Sequence, residues 1–195
     1  TWNSTANWST TSGGAGGSSV PTTTSDAIFD ANGNGACAID AAASVKGLYL
    51  AGYTGTVTLA ANLTLTGNLT LAAGTLSGAS YTIKVQGNWS LAGGAFTAGT
   101  STVEFTGVGG TTSIISGANT FYNLTCRSAK TLNFTAGLTQ AITGTLTLDG
   151  PVLRSVTDGS VYTVNATGTV SVKNVDIKNC TATTAFTATQ STDST

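Results

Sequence analysis

Along most of the chain, apolar and polar residues alternate one for one. From Ala27 onward short stretches of this kind recur: VKGLYL (45–50), GTVTL (55–59), NLTL (62–65), NLTL (68–71), YTIKV (81–85), NWSL (88–91), TVEF (102–105), YNLTC (122–126), TLNF (131–134), GTLTL (144–148), VYTV (161–164), TVSV (169–172) and NVDI (174–177). A period of two sends alternate side chains to opposite faces of an extended backbone, and the β-branched content and Gly punctuation agree with strands. No segment carries the i, i+3, i+4, i+7 apolar spacing of an amphipathic helix. The expected class is all-β.

The strands themselves repeat. GNLTLAAGTLSG (67–78) and GNWSLAGGAFTA (87–98) align at an offset of 20, with Gly, Asn, Leu, Ala and Gly identical at 67/87, 68/88, 71/91, 72/92 and 74/94. GTLTLDGPVL (144–153) is a third copy, and GTVSVKNVDI (168–177) a weaker one 24 residues further on. Short strands separated by Gly turns at that period predict a right-handed parallel β-helix, a β-solenoid with coils of about 20 to 24 residues. Equivalent strands then stack at about 4.8 Å, with Leu69, Leu71, Ile83, Val85, Trp89, Leu91, Val103 and Phe105 among the inward side chains and Thr, Ser and Asn outside. Seven or eight coils give a rod of ~35–40 Å. A sandwich of antiparallel hairpins is the competing architecture, and the 20-residue echo argues against it. Three regions are expected: a Gly/Ser/Thr-rich arm over 1–25, the solenoid over 26–180, and a Ser/Thr-rich tail over 181–195.

Composition narrows the function. Charged residues are 8% of the 195, against roughly 25% in an average soluble domain, and the net charge is −1. Neither nucleic acid nor insertion into a membrane is expected as a partner, since no basic excess and no run of ~18 apolar residues is present. Forty Thr and nineteen Ser supply the polar surface. A surface so poor in charge fits an extracellular assembly, hydrated by hydroxyls and glycans or covered by other copies. The chain has no Met, as expected of a processed mature chain or an excerpt of a longer one.

The residues quoted above also carry a resemblance. G-N-L-T-L-A-A-G-T-L, Y-T-I-K-V-Q-G-N-W-S-L and F-T-A-G-T-S-T-V-E-F-T-G resemble the β-helical passenger regions of bacterial surface proteins, the filamentous-haemagglutinin and autotransporter-like adhesins. TWNSTANWS at the N-terminus looks like the W-x-x-x-x-N-W-S element that opens such repeats. The resemblance implies an extracellular or cell-surface structural or adhesive role, and carries over no catalytic residue.

Candidate chemistry is sparse. There is no His, hence no Ser–His pair and no common metal ligand. Pectin-cleaving enzymes share the β-helix and need clustered carboxylates, or a basic Arg or Lys beside calcium-binding acids. NVDIKNC (174–180) looks like one of their strands but offers only Asp176 beside Lys173 and Lys178. The other acids (Asp26, Asp30, Asp40, Glu104, Asp149, Asp158, Asp193) stand singly, and Asp149 and Asp158 read as turn residues before Gly. No catalytic residue, cofactor or metal is assigned. Nine Asn-x-Ser/Thr sequons, at Asn3, Asn7, Asn62, Asn68, Asn88, Asn123, Asn133, Asn165 and Asn179, are glycosylation candidates, although strand alternation also produces the pattern. Cys37, Cys126 and Cys180 lack metal spacing; they read as buried small hydrophobes, as one disulfide of unassigned pairing plus a free thiol, or as a link to another chain. Thr-x-Thr runs raise ice binding, weakened by interruptions at Lys84 and Glu104. Trp2, Trp8, Tyr49, Tyr53 and Tyr122 are scattered singly and define no sugar site. The expected function is non-enzymatic: a filament subunit whose main partner is itself, stacked head to tail, with the arm packing along a neighbour. The alternative is an adhesin module for a glycan or host surface; a polysaccharide lyase or hydrolase ranks below both.

Overall fold

The structure, a computed structural model, describes residues 1–33 and 35–193. The alternating stretches form short strands of two to five residues, and a 3-10 turn at Thr5–Asn7 is the only helical element among the described residues. The first coil consists of β1 (Ala27–Asp30), β2 (Cys37–Ile39) and β3 (Ala43–Val45). Each later coil repeats this three-strand circuit, and strands lie beside their equivalents in the next coil except at one break in the third face. β1 heads a nine-stranded sheet, β3 an eight-stranded sheet, and the third face is divided into two four-stranded sheets, the first beginning at β2. All strand pairings between coils are parallel, as in Ala27–Asp30 against Leu48–Ala51. That removes the sandwich and establishes a solenoid of eight coils.

Register sorts the side chains. Leu48, Leu69, Trp89, Ile115 and Phe134 stand in one column on the first face, and Leu63, Ile83, Val103 and Leu124 in another on the second. All are buried. A sequence with a 20-residue echo can satisfy this winding because each inward aliphatic lands on another one, and each buried Leu contributes roughly 1.5–3 kcal/mol. Glycine recurs at corners where successive coils nearly touch: a Cβ on Gly168 would lie 1.8 Å from the Gly144 carbonyl oxygen.

The winding continues beyond residue 180. Cys180–Ala182, Ala188–Thr189 and Thr192–Asp193 are strands of the last rungs, so much of the segment expected as a tail belongs to the rod. Its final residues, 194 and 195, lie outside the described residues.

Candidate functional site at the ends of the solenoid

A parallel sheet presents unsatisfied N–H and C=O groups at both ends of the rod, and the two ends are treated differently here. At the N-terminal end the arm folds back over the first coil. Trp2 is 2% exposed, and its N–H donates to the Ala38 carbonyl at 2.7 Å on the outer side of β2. Just after β3, the Lys46 N–H donates to the Thr22 and Ser25 carbonyls, both at 3.1 Å. Aromatic rings bind the arm to the coil: Trp2 and Trp8 meet edge to face at 4.8 Å and Trp8 and Phe29 edge to face at 5.7 Å, while Phe29 leans on Tyr53 of the second coil at 5.2 Å. The Trp8 indole N–H donates to the Trp2 carbonyl at 2.7 Å. Carboxylates fasten the rest. The Asn3 N–H holds Asp40 below the usual carboxylate range, and the Ser12 hydroxyl, followed by the Asn32 N–H, does the same for Asp30. A segment that could bury little by itself becomes ordered because two indoles reach the open end of the core.

The arm does not seal everything. Between it and β1 runs a cleft of ≈ 720 Å³ bordered by Ser9, Ser12 and Gly14 of the arm and by Ile28, Phe29 and Asp30 of the strand. Among the described residues no backbone hydrogen bond joins the arm to β1, and Ile28 is 60% exposed.

The C-terminal end has no such cover among the described residues. Cys180–Ala182, Ala188–Thr189 and Thr192–Asp193 are the outermost strands of their sheets. The last circuit is tightened, with the Val175 N–H bonded to the Ser191 hydroxyl only 16 residues away. Ile177, Cys180, Phe186 and Ala188 are only partly buried where they pack on the core.

Ion pairs tie coil to coil and account for most of the few charges. Lys46 meets Asp26 at 3.6 Å, Lys84 meets Glu104 at 3.5 Å, Arg154 meets Asp176 at 2.5 Å, Lys173 meets Asp149 at 3.1 Å and Lys178 meets Asp158 at 3.0 Å. Asp176, the acid singled out by its lyase-like motif, is thus engaged by a guanidinium. Asp149 is held low by the Asn174 amide and then Lys173, and Asp158 by Lys178 and then Asn179. Folded carboxylates held below their unfolded value stabilise the fold above pH ~4, and that contribution is lost as pH falls through the folded values. The melting temperature should therefore fall between pH 5 and pH 2.5, and replacing both Asp149 and Asp158 by Asn should flatten the fall. Calorimetric scans at each pH measure both. No group of three or more Cys, Asp or Glu side chains able to hold a metal occurs among the described residues.

The sequon asparagines are largely structural. Asn62 Oδ1 accepts the Thr82 N–H at 2.9 Å, Asn68 the Asn88 N–H at 2.8 Å, Asn88 the Ile114 N–H at 2.8 Å and Asn123 the Thr145 N–H at 2.8 Å. Each side chain satisfies a backbone donor one coil onward, which explains why Asn recurs at coil corners. Asn179 Nδ2 donates to Asp158 and Asn7 Nδ2 to the Thr1 carbonyl. Asn3 and Asn7 are exposed, whereas Asn133 and Asn165 are half-buried.

Of the readings open for the cysteines, a disulfide within the chain is not formed. Cys37, Cys126 and Cys180 are free thiols, in the first, fifth and eighth coils. At about 4.8 Å per coil their Cα atoms stand far beyond the ~7 Å that a bridge allows. Burial raises the pKa of all three. The aromatics are divided too: Trp2 and Tyr53 are buried, while Trp8, Tyr49 and Tyr122 are half-buried.

A buried polar staple in mid-rod was missed by sequence reasoning. The coil following Trp89 is lengthened, so that Asn88 bonds Ile114 across 26 residues rather than 20. Here the third face breaks between Ala95–Thr97 and Thr120–Phe121. Gly117 at φ 88° approaches so closely that a Cβ would lie 2.5 Å from the Leu91 carbonyl oxygen. The Trp89 indole N–H donates to Asn119 Oδ1 at 2.8 Å, Asn119 Nδ2 donates to Gln140 Oε1 at 2.8 Å, and Gln140 Nε2 donates to the Gly117 carbonyl at 3.0 Å. Lys130 is fully buried, and its Nζ donates to the Gln86 carbonyl at 2.5 Å and to Thr111 Oγ1 at 3.3 Å. Parity gave a signal, since Gln140 occupies an inward position of Thr139–Ile142 and Lys130, just before Thr131–Phe134, is in phase with the inward Leu132 and Phe134.

Comparison of the chain with protein-family models, with curated proteins and with solved structures finds no match. No helix is long and apolar enough to cross a membrane among the described residues.

Proposed function

We propose that this chain is a non-enzymatic structural subunit of an extracellular fibre, built by end-to-end stacking of solenoids. One observation carries the reading: the last coil displays the outer strands of its sheets with half-buried Phe186 and Ala188 beside them and no cover among the described residues. Natural solenoids need a polar cap at such an end, and a heterologous contact there propagates rather than closes. The hydroxyl-rich, nearly uncharged exterior supports an extracellular setting.

The test places a charge on the terminal edges, which blocks strand addition without entering the core. Ala182 and Thr189 are exposed. A182K/T189K should keep the circular-dichroism spectrum of the parent yet lose the fibres visible by negative stain. Wild-type protein that remains monodisperse in light scattering at millimolar concentration would overturn the reading.

A further inference from the structure

The arm makes the same kind of bonds that a preceding coil would make. In the later coils, except at the break ahead of Thr120–Phe121, N–H and C=O groups on the N-terminal side are met by the coil before; in the first coil the Ala38 carbonyl is met by the Trp2 N–H, and the Thr22 and Ser25 carbonyls are met by the Lys46 N–H. Trp2 fills the end of the core where an aliphatic from a preceding rung would sit. A second copy stacked on this end and the arm folded over it are mutually exclusive at β2 and β3.

At β1 they are not. The Ala27 N–H points toward the second coil, donating to the Gly47 carbonyl at 2.8 Å. In a parallel strand successive residues address opposite neighbours, so the Ile28 N–H and C=O face outward into the ≈ 720 Å³ cleft. β1 and Thr192–Asp193 are the two ends of one nine-stranded parallel sheet. A copy entering at β1 continues that sheet in the same strand direction.

We infer that the β1 edge beneath the arm is the landing site for the C-terminal coil of a second copy, and that residues 1–25 form a displaceable cap which must leave β2 and β3 before stacking is complete. This rests on the end-to-end reading above. Assembly is then polar, and its rate is set by the small fraction of molecules whose arm is open.

Light-scattering assembly time courses on the full chain test it, with circular dichroism as the check on folding. Trp2→Ser, which loosens the arm, should assemble at least about tenfold faster than wild type. Ile28→Pro removes an outward N–H of β1 at a residue whose side chain is largely exposed, and should abolish assembly while leaving the fold intact. A synthetic peptide of residues 1–25, added in excess, should slow wild-type assembly, and this arm holds even if Trp2→Ser fails to fold. Normal assembly by Ile28→Pro would overturn the β1 landing site, and equal rates for wild type and a folded Trp2→Ser or indifference to the peptide would overturn the cap; each leaves end-to-end stacking standing. No assembly by any folded variant at any concentration would remove both.

Discussion

Replacing Trp89 by alanine should cost about 3–5 kcal/mol of unfolding free energy, the largest effect expected of any single substitution in the rod. The indole is fully buried and packs edge to face against Phe96 at 4.9 Å and Phe121 at 5.3 Å, across the break in the third face. Its N–H is the donor that anchors Asn119. Truncation therefore opens a cavity and leaves a buried amide oxygen without a partner. Trp89→Phe separates the two terms: it retains most of the packing and should cost about 1–3 kcal/mol for the orphaned Asn119 oxygen. Urea denaturation followed by circular dichroism measures both. Equal losses for the two variants would show that packing contributes little.

Lys130→Ala should rank next, at about 3 kcal/mol. The side chain crosses the end of the lengthened coil and supplies the donor that the Gln86 carbonyl finds nowhere in the regular ladder. Burial lowers the lysine pKa. Because the unfolded chain holds that proton more tightly, stability linked to Lys130 rises as pH climbs toward the ordinary lysine value of about 10.4 and falls again on the way down. Lys130→Met keeps the stem and removes the donor. It should lose about 1–3 kcal/mol at pH 7 and should not show the alkaline rise. Denaturant titrations at pH 7 and pH 9.5 distinguish the variants; a Met variant as stable as wild type at pH 7 would remove the role assigned to the ammonium group.

These two residues also mark how far the sequence could be read. Strand positions, the 20-residue coil and the inward columns through Leu69, Trp89 and Val103 were legible, because period-two alternation and a repeat are local properties. The corner role of Asn68 and Asn88 was half legible: their recurrence was visible, but the glycosylation motif explains it equally well until the bond from Asn68 to the next coil is seen. The pairing of Trp89 with Asn119 and Gln140 was not legible. Those residues lie 21 and 30 positions apart, in coils whose lengths differ, and nothing local announces which polar side chain will land above which.

The ends divide in the same way. An arm of Trp, Gly, Ser and Thr was evident, and so was its inability to bury surface alone; that its indoles turn back onto Phe29 of their own chain required the folded coil. The sequence by itself determined an all-β winding with aliphatics inside and hydroxyls outside, since side-chain direction in a strand follows from the order of residues. Only the tertiary structure decided where that winding is broken, which amides and ammonium repair the break, and which end of the rod is covered. Those outcomes depend on distances between rungs, and burial makes each unmatched backbone group there too costly to leave open.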